Sequence, residues 1–266
     1  MPHTASKRYA VVSCHVERPL DDRVWARFAR LQARRPGGFR IAALLRPPDR
    51  DAGEDARTWI SRARQAASQG PLGHHTHWGG PEAARPPAGS QEEPAARVRR
   101  EAAWFREAGL EPRLFCGGGW YLDSGVAEAL GELGYADCTA TAFAPAYLSD
   151  GAARGALRSP AWLRLGAGRL LELPTTHSLG AAARAAIDPR PIRLEVVHVY
   201  FHDTDLLDGR RRLALRAALA ILGRRRRPTD LEQLADEVSR FAPEVELASV
   251  LLGGARTAPD AAVHFP

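Results

Sequence analysis

The stretch YAVVSCHVERPLDDRVWARFARLQARRPGGFRIAALLRP, residues 9–47, decides the fold class. Its opening, YAVVSCHVE (9–17), is a short apolar run that turns polar at its end, as a β-strand buried on both faces does. DDRVWARFARLQARR (21–35) then sets Val24, Trp25, Phe28 and Leu31 on one face at helical spacing, with Asp21 or Asp22 available as the cap. RPGG stops that helix, and FRIAALLRP (39–47) is a second apolar strand. The three pieces make a β–α–β unit, whose two strands lie parallel.

The alternation continues outward from there. A helix is expected near 54–68, then a short strand leading into PLGHHTHWGG (71–80). AARVRREAAWFREAG (95–109) reads as a helix, PRLFCGGGW (112–120) as a strand ending in a glycine turn, and DSGVAEALGELG (123–134) as a helix capped by Asp or Ser. YADCTAT and LLELPTT are short strands, and RLEVVHVYFHD (193–203) is the clearest late one. Helices follow at about 208–223 and 229–240, and VELASVLLG closes the pattern. GGPEAARPPAGSQEEP (79–94) has the Pro, Gly and charge content of an exposed loop. No repeat and no separating linker interrupts residues 1–266. The expectation is one α/β domain with a parallel sheet, open or closed into a barrel.

Composition narrows the partners. Lys plus Arg number 37 against 31 Asp plus Glu, but the arginines are dispersed apart from RRRR at 224–227. That block reads as a solvated helix end; no nucleic-acid partner is expected, since no aromatic–basic interleaving or DNA-binding motif accompanies it. Cys14, Cys116 and Cys138 form neither a disulfide framework nor a CxxC zinc pair, and Cys14 and Cys116 read as buried and unreactive. MPHTASKRYAVVSC has no apolar run suited to a signal peptide, and nothing approaches the ~18 apolar residues of a membrane span. A reduced, cytoplasmic protein without an integral membrane segment is the expectation. The oligomeric state is not set by the sequence.

In parallel α/β folds, functional side chains collect at the carboxyl ends of strands. The first strand ends in His15 and Glu17, the histidine turn brings His74, His75 and His77, and the late strand ends in His202, Asp203 and Asp205. Strand alternation points His15 and Glu17 the same way, and likewise His75 and His77. Two imidazoles and a carboxylate are the donor set of an open catalytic zinc site. His74 reads as a surface-turn histidine. Trp25 and Phe28 read as core, whereas Trp78 and Trp120, beside glycines at strand ends, line a pocket or join the core. The GGG at 117–119 lacks the lysine of a phosphate loop; it is a turn needing positive φ or a close backbone approach.

Taken in order, SCHVE (13–17), HTHW (75–78), RLFCGGGW (113–120) and VYFHD (199–203) resemble the motifs of the polysaccharide deacetylase superfamily, carbohydrate esterase family 4 and its nodulation-type relatives. RPTDLEQLADEV (227–238) resembles the family's closing helix. The resemblance spans nearly the whole chain. It implies a distorted (β/α) barrel of about seven parallel strands, a divalent metal, zinc being the usual one, and hydrolysis of the acetyl group from an N-acetylated sugar. Carried over motif by motif, it implies Glu17, His75 and His77 as metal ligands. His15 stands at the base position or adds a ligand, His202 is the acid for the leaving amine, and Asp203 orients His202. Trp78, Arg113, Gly118 and Trp120 would line the substrate groove. Three departures accompany the match: an imidazole stands where the family has its catalytic aspartate, the arginine within the third motif is missing unless Arg113 substitutes, and Asp22 competes with Glu17 as the acidic ligand. Two other functions remain open on these residues. One is a non-catalytic sugar or metabolite binder; the other is a metal hydrolase acting on a cyclic amide or an ester.

Overall fold

The structure, a computed structural model, describes residues 8–87, 92–149, 151–188, 190 and 192–253. Residues 88–91 of the expected 79–94 loop lie outside the described residues. The first half runs β1 (Tyr9–Val16), α1 (Asp22–Arg34), β2 (Ala42–Leu45), α2 (Ala56–Gln69), β3 (Leu72–Thr76), α3 (Pro94–Glu107), β4 (Leu114–Gly117), α4 (Ser124–Leu133) and β5 (Ala136–Asp137). The second half runs β6 (Arg154–Gly155), β7 (Ala161–Arg164), β8 (Arg169–Glu172), β9 (His177–Ser178), α5 (Leu179–Ile187), β10 (Val196–His202), α6 (Gly209–Arg225), β11 (Arg227–Pro228), α7 (Leu231–Val238), β12 (Glu244–Glu246), α8 (Leu247–Val250) and β13 (Leu251–Leu252).

Local chemistry explains the helix ends. Asp21, not Asp22, caps α1, its Oδ1 accepting from the amides of Arg23 and Val24 at 2.9 Å each. Arg35, at φ 47°, and then Pro36 stop that helix. Val24, Trp25, Phe28 and Leu31 are buried as the spacing predicts. Asp55 and Asp123 cap α2 and α4 in the same way.

The sheet order β10-β1-β2-β3-β4-β5-β8 is parallel throughout. Closure comes from one extended run, residues 169–178. Its first part pairs with β5, and the Thr175 amide donates to the Ala140 carbonyl at 2.8 Å. Along the edge away from β5 the run pairs first with β7, over residues 169–172; Pro174 has no amide to give, and past it that edge takes a new partner. The Thr176 amide donates to the His198 carbonyl at 3.0 Å, and β9 pairs in parallel with β10. Seven strands therefore close a distorted ring, with β8 and β9 acting as one extended run between β5 and β10. The sequence reading missed β7, which lies antiparallel to β8 outside that ring and pairs with β12, and it missed α5. These pieces are short and carry no long periodic pattern to read.

Side chains alternate cleanly across the barrel wall. Tyr9, Val11, Leu44, Leu114, Cys116, Leu171 and Val196 fill the interior cluster. Ala10, Val12, Cys14, Val16, Val197, Val199 and Phe201 pack outward against α1, α2 and α6. Both faces of the strands are buried, which is why their sequences read as continuous apolar runs. The RRRR block is not simply solvated. Arg226 is buried and donates to the carbonyls of Ile192 (2.7 Å) and Glu195 (3.1 Å), stitching the starts of β1 and β10. No described helix is long and apolar enough to cross a membrane.

Candidate metal centre

The inward positions at the carboxyl ends of β1, β3 and β10 carry imidazoles and one carboxylate. Register places His15 beside His202 and His75 beside Cys116. Beyond the strand ends, Glu17 follows His15 and His77 follows His75, each two residues on and on the same side. The Glu17 carboxylate is the hub. Its Oε1 lies 3.5 Å from His77 Nε2, 3.5 Å from His202 Nε2 and 4.0 Å from His75 Nε2.

Hydrogen bonds fix how those rings present themselves. His75 Nδ1–H donates to the Cys116 carbonyl at 2.8 Å, and His77 Nδ1–H donates to the Pro81 carbonyl at 2.9 Å. Both Nε2 lone pairs are thereby turned toward Glu17, as outer-shell partners turn metal-binding histidines. His77 Nε2 is buried without a hydrogen-bond partner. Such an orphan costs stability unless something fills the gap. Glu17, His75 and His77 offer donor atoms all within 4.8 Å of one another. Two donors about 2.1 Å from a tetrahedral ion are roughly 3.4 Å apart, close to the separations seen here. The residues fit a divalent cation.

Electrostatics agree with the geometry. Burial pushes the Glu17 carboxyl up, but the adjacent His77 ring and the neighbouring imidazoles of His202 and His75 outweigh it and bring the group down to about 2. Burial, reinforced by His77, lowers His75 to about 3. At neutral pH the set is one carboxylate and uncharged His75 Nε2, with no proton to displace from either. Burial also lowers His15 well below 6.5. Its ring sits 4.5 Å from that of His75, 5.3 Å from Trp120 and 5.1 Å from Tyr200, and the residue is only 3% exposed.

Several expected site residues land elsewhere. Arg113 precedes β4 at the opposite, amino end of the barrel and pairs with Asp236 at 2.9 Å, so it lines no groove at the strand tips. Asp22 is 92% exposed on α1 and pairs with Arg62, leaving Glu17 as the acidic group at the cluster. Asp203 accepts from the amides of Arg18 (2.9 Å) and Thr204 (2.8 Å) and braces the loop after β1. Burial raises its carboxyl to about 6. Asp205, three residues past His202, faces that ring instead, with Oδ2 4.0 Å from His202 Nδ1 and 2.9 Å from its amide. Alternation turns the next residue away, and the 3-10 turn at Asp203–Leu207 brings Asp205 back. His74 is no surface histidine. It is wholly buried on the outward side of β3, where Nε2–H donates to Glu101 at 2.7 Å.

Trp78 and Trp120 are both buried and offer no open face. Trp78 donates to the Gly118 carbonyl at 3.1 Å and packs on Tyr121; Trp120, at φ 60°, walls the interior beside Tyr200. Gly118 serves close packing. A Cβ there would stand 2.6 Å from the Ala84 carbonyl, closer still to that of Thr76, and 3.1 Å from His77 Cδ2. Sequence reasoning missed Arg46, which is buried at the end of β2, donates to the Glu17 carbonyl at 3.0 Å and grips Glu54 at 2.7 Å. It also missed Tyr147, a 67% exposed loop residue. Arg46 was legible as a polar strand tip; Tyr147, in a loop, gave no signal. A cleft of about 760 Å³ opens beside His77, lined among others by Arg46, Arg50, Gly80, Arg97 and Trp104.

Comparison of the sequence with family models and with curated proteins gives no match. Solved structures do resemble it. One described as a polysaccharide deacetylase from Mycobacterium smegmatis superposes with TM-score 0.57 at 16% identity, over 92% of this chain and 96% of that one. The 4-alpha-glucanotransferase from Thermococcus litoralis gives 0.54 at 13% identity, over 90% of this chain and 39% of that one. A family 4 carbohydrate esterase from Streptomyces lividans in complex with acetate gives 0.44 at 12%, over 81% and 88%. The likeness to the first two establishes the fold.

Proposed function

We propose that the chain is a zinc-dependent amide hydrolase that removes an acyl group, an acetyl in the first instance, from an N-acylated sugar. One observation carries the reading. Glu17 and the Nε2 atoms of His75 and His77, from the tips of β1 and β3, converge on a gap sized for an ion, with a buried lone pair facing it. The fold shared with the M. smegmatis structure supports the same substrate class.

Glu17, His75 and His77 would hold the metal. When bound, zinc lowers the pKa of water to about 7 and polarises a carbonyl oxygen. His202 handles the proton: at 35% exposure it exchanges with solvent, and Asp205 beside Nδ1 orients the ring so that Nε2 faces the cluster. His202 is outside the close trio, which frees its Nε2 to protonate the departing amine. His15, walled in by Trp120 and Tyr200, braces the His75 ring rather than facing substrate. Tyr147 offers the exposed aromatic face that a sugar ring stacks on, a role the buried tryptophans cannot fill.

A second reading is a carbohydrate-binding relative that keeps the metal without turnover. It is favoured by the cluster having a single carboxylate, Glu17, among the described residues. The experiment pairs metal analysis with acyl release from N-acetyl and N-formyl sugars. About one zinc per chain, lost in His75→Ala and His77→Ala together with chelator-sensitive release, supports hydrolysis. Zinc without release on any substrate selects the binder, and no zinc after reconstitution refutes both.

A further inference from the structure

We infer that His15, His75 and Cys116 form a second cation position, suited to a soft, thiol-seeking ion and lying just inside the first. The inference rests on the proposed zinc position, because the two share His75. Donor atoms of these three residues also lie within 4.8 Å of one another, and all three side chains are buried. The His15 Nε2 to Cys116 Sγ separation is 3.6 Å. A nitrogen at about 2.0 Å and a sulfur at about 2.3 Å from one tetrahedral ion stand roughly 3.5 Å apart, so the pair is already spaced for it.

The two positions differ in chemistry. The outer one offers a carboxylate oxygen and two imidazoles at the mouth; the inner one replaces the oxygen with sulfur and is walled by Trp120 and Tyr200. Soft thiolate donors in a dry setting favour Cd²⁺ or Cu⁺ over harder, more strongly hydrated ions. Occupancy is exclusive. His75 Nδ1 is committed to the Cys116 carbonyl, leaving Nε2 as its one free donor, so an ion taken inside withdraws a ligand from the ion outside. On binding, the Cys116 thiol gives its proton to solvent and supplies the S–metal bond.

The test titrates the metal-free full chain with Cd²⁺ alone, following the ultraviolet cadmium–thiolate charge-transfer absorption and counting bound ion by dialysis. The wild type should develop the absorption with about one ion per chain. Glu17→Gln, which removes the outer carboxylate, and Cys14→Ser, whose thiol is buried away from the cluster, should keep it. Cys116→Ser should lose it while still taking up zinc, which also shows that variant to be folded. Added to zinc-loaded protein, Cd²⁺ should raise the absorption in step with zinc release. Cadmium bound without that absorption, or absorption surviving in Cys116→Ser, overturns the inner position and leaves the zinc reading standing. Absorption growing with zinc fully retained overturns the sharing of His75. Failure of the wild type to hold zinc at all refutes the outer site by its own, separate measurement.

Discussion

Acidifying the metal-free protein from about pH 7 to about pH 5 removes stability through the imidazoles buried in the barrel, and His198 isolates the effect. Its Nε2 accepts from the Ser13 hydroxyl at 2.8 Å, and its Nδ1–H donates to the Leu173 carbonyl at 3.3 Å. Burial lowers it from 6.5 to about 4, against the pull of the backbone carbonyls of Leu173 and Pro174. Between those two values the unfolded chain binds a proton that the folded chain refuses. Stability is therefore full above 6.5 and falls as pH drops toward 4. At pH 5 the unfolded imidazole is about 1.5 units below its own pKa, which at 1.36 kcal/mol per unit makes the loss about 2 kcal/mol. Against a typical total of about 5–15 kcal/mol that is easily measured. His198→Gln keeps a donor and an acceptor but cannot titrate. Urea midpoints, with the slope m checked for constancy, should show the wild type losing about 2 kcal/mol more than the variant over this interval. Contributions from His15 and His75, of the same sign, are present in both proteins and cancel in the difference. Parallel curves for the two proteins would refute the account of His198 as a neutral, buried group.

Two further outcomes follow from the packing. Gly118→Ala should weaken zinc binding by about 10–100-fold, because the added methyl presses on the carbonyls of Thr76 and Ala84 and on the His77 ring; competition with a chromogenic chelator reads it, and an unchanged zinc affinity refutes the seat assigned to His77. Asp137 and Glu172 are paired side by side on β5 and β8, both wholly buried, and burial with mutual repulsion raises Glu172 well above 4.5, so it keeps its proton. A raised acid makes stability fall as pH climbs above 4.5; Glu172→Gln should flatten that part of the denaturation profile, and a variant that keeps the wild-type slope rules out Glu172 as the proton holder.

What the sequence determined by itself was the alternation of strands and helices and the chemistry at the strand tips. Apolar period and capping are local, so YAVVSCHVE, the helix at Asp22–Arg34 and the strand ending at His202 were readable without neighbours, and so was the parity that turns Glu17 with His15 and His77 with His75. Tertiary structure alone decided which tips face one another. It chose Glu17 over Asp22 and Asp205 over Asp203, sent Arg113 to the far end of the barrel, and buried His74 on the outward face of β3. Those outcomes depend on register between strands distant in the chain and on the run 169–178, which meets β5 along one edge and β10 along the other. A residue's own neighbours in sequence fix which side of a strand it takes; only the closed ring fixes what stands across from it.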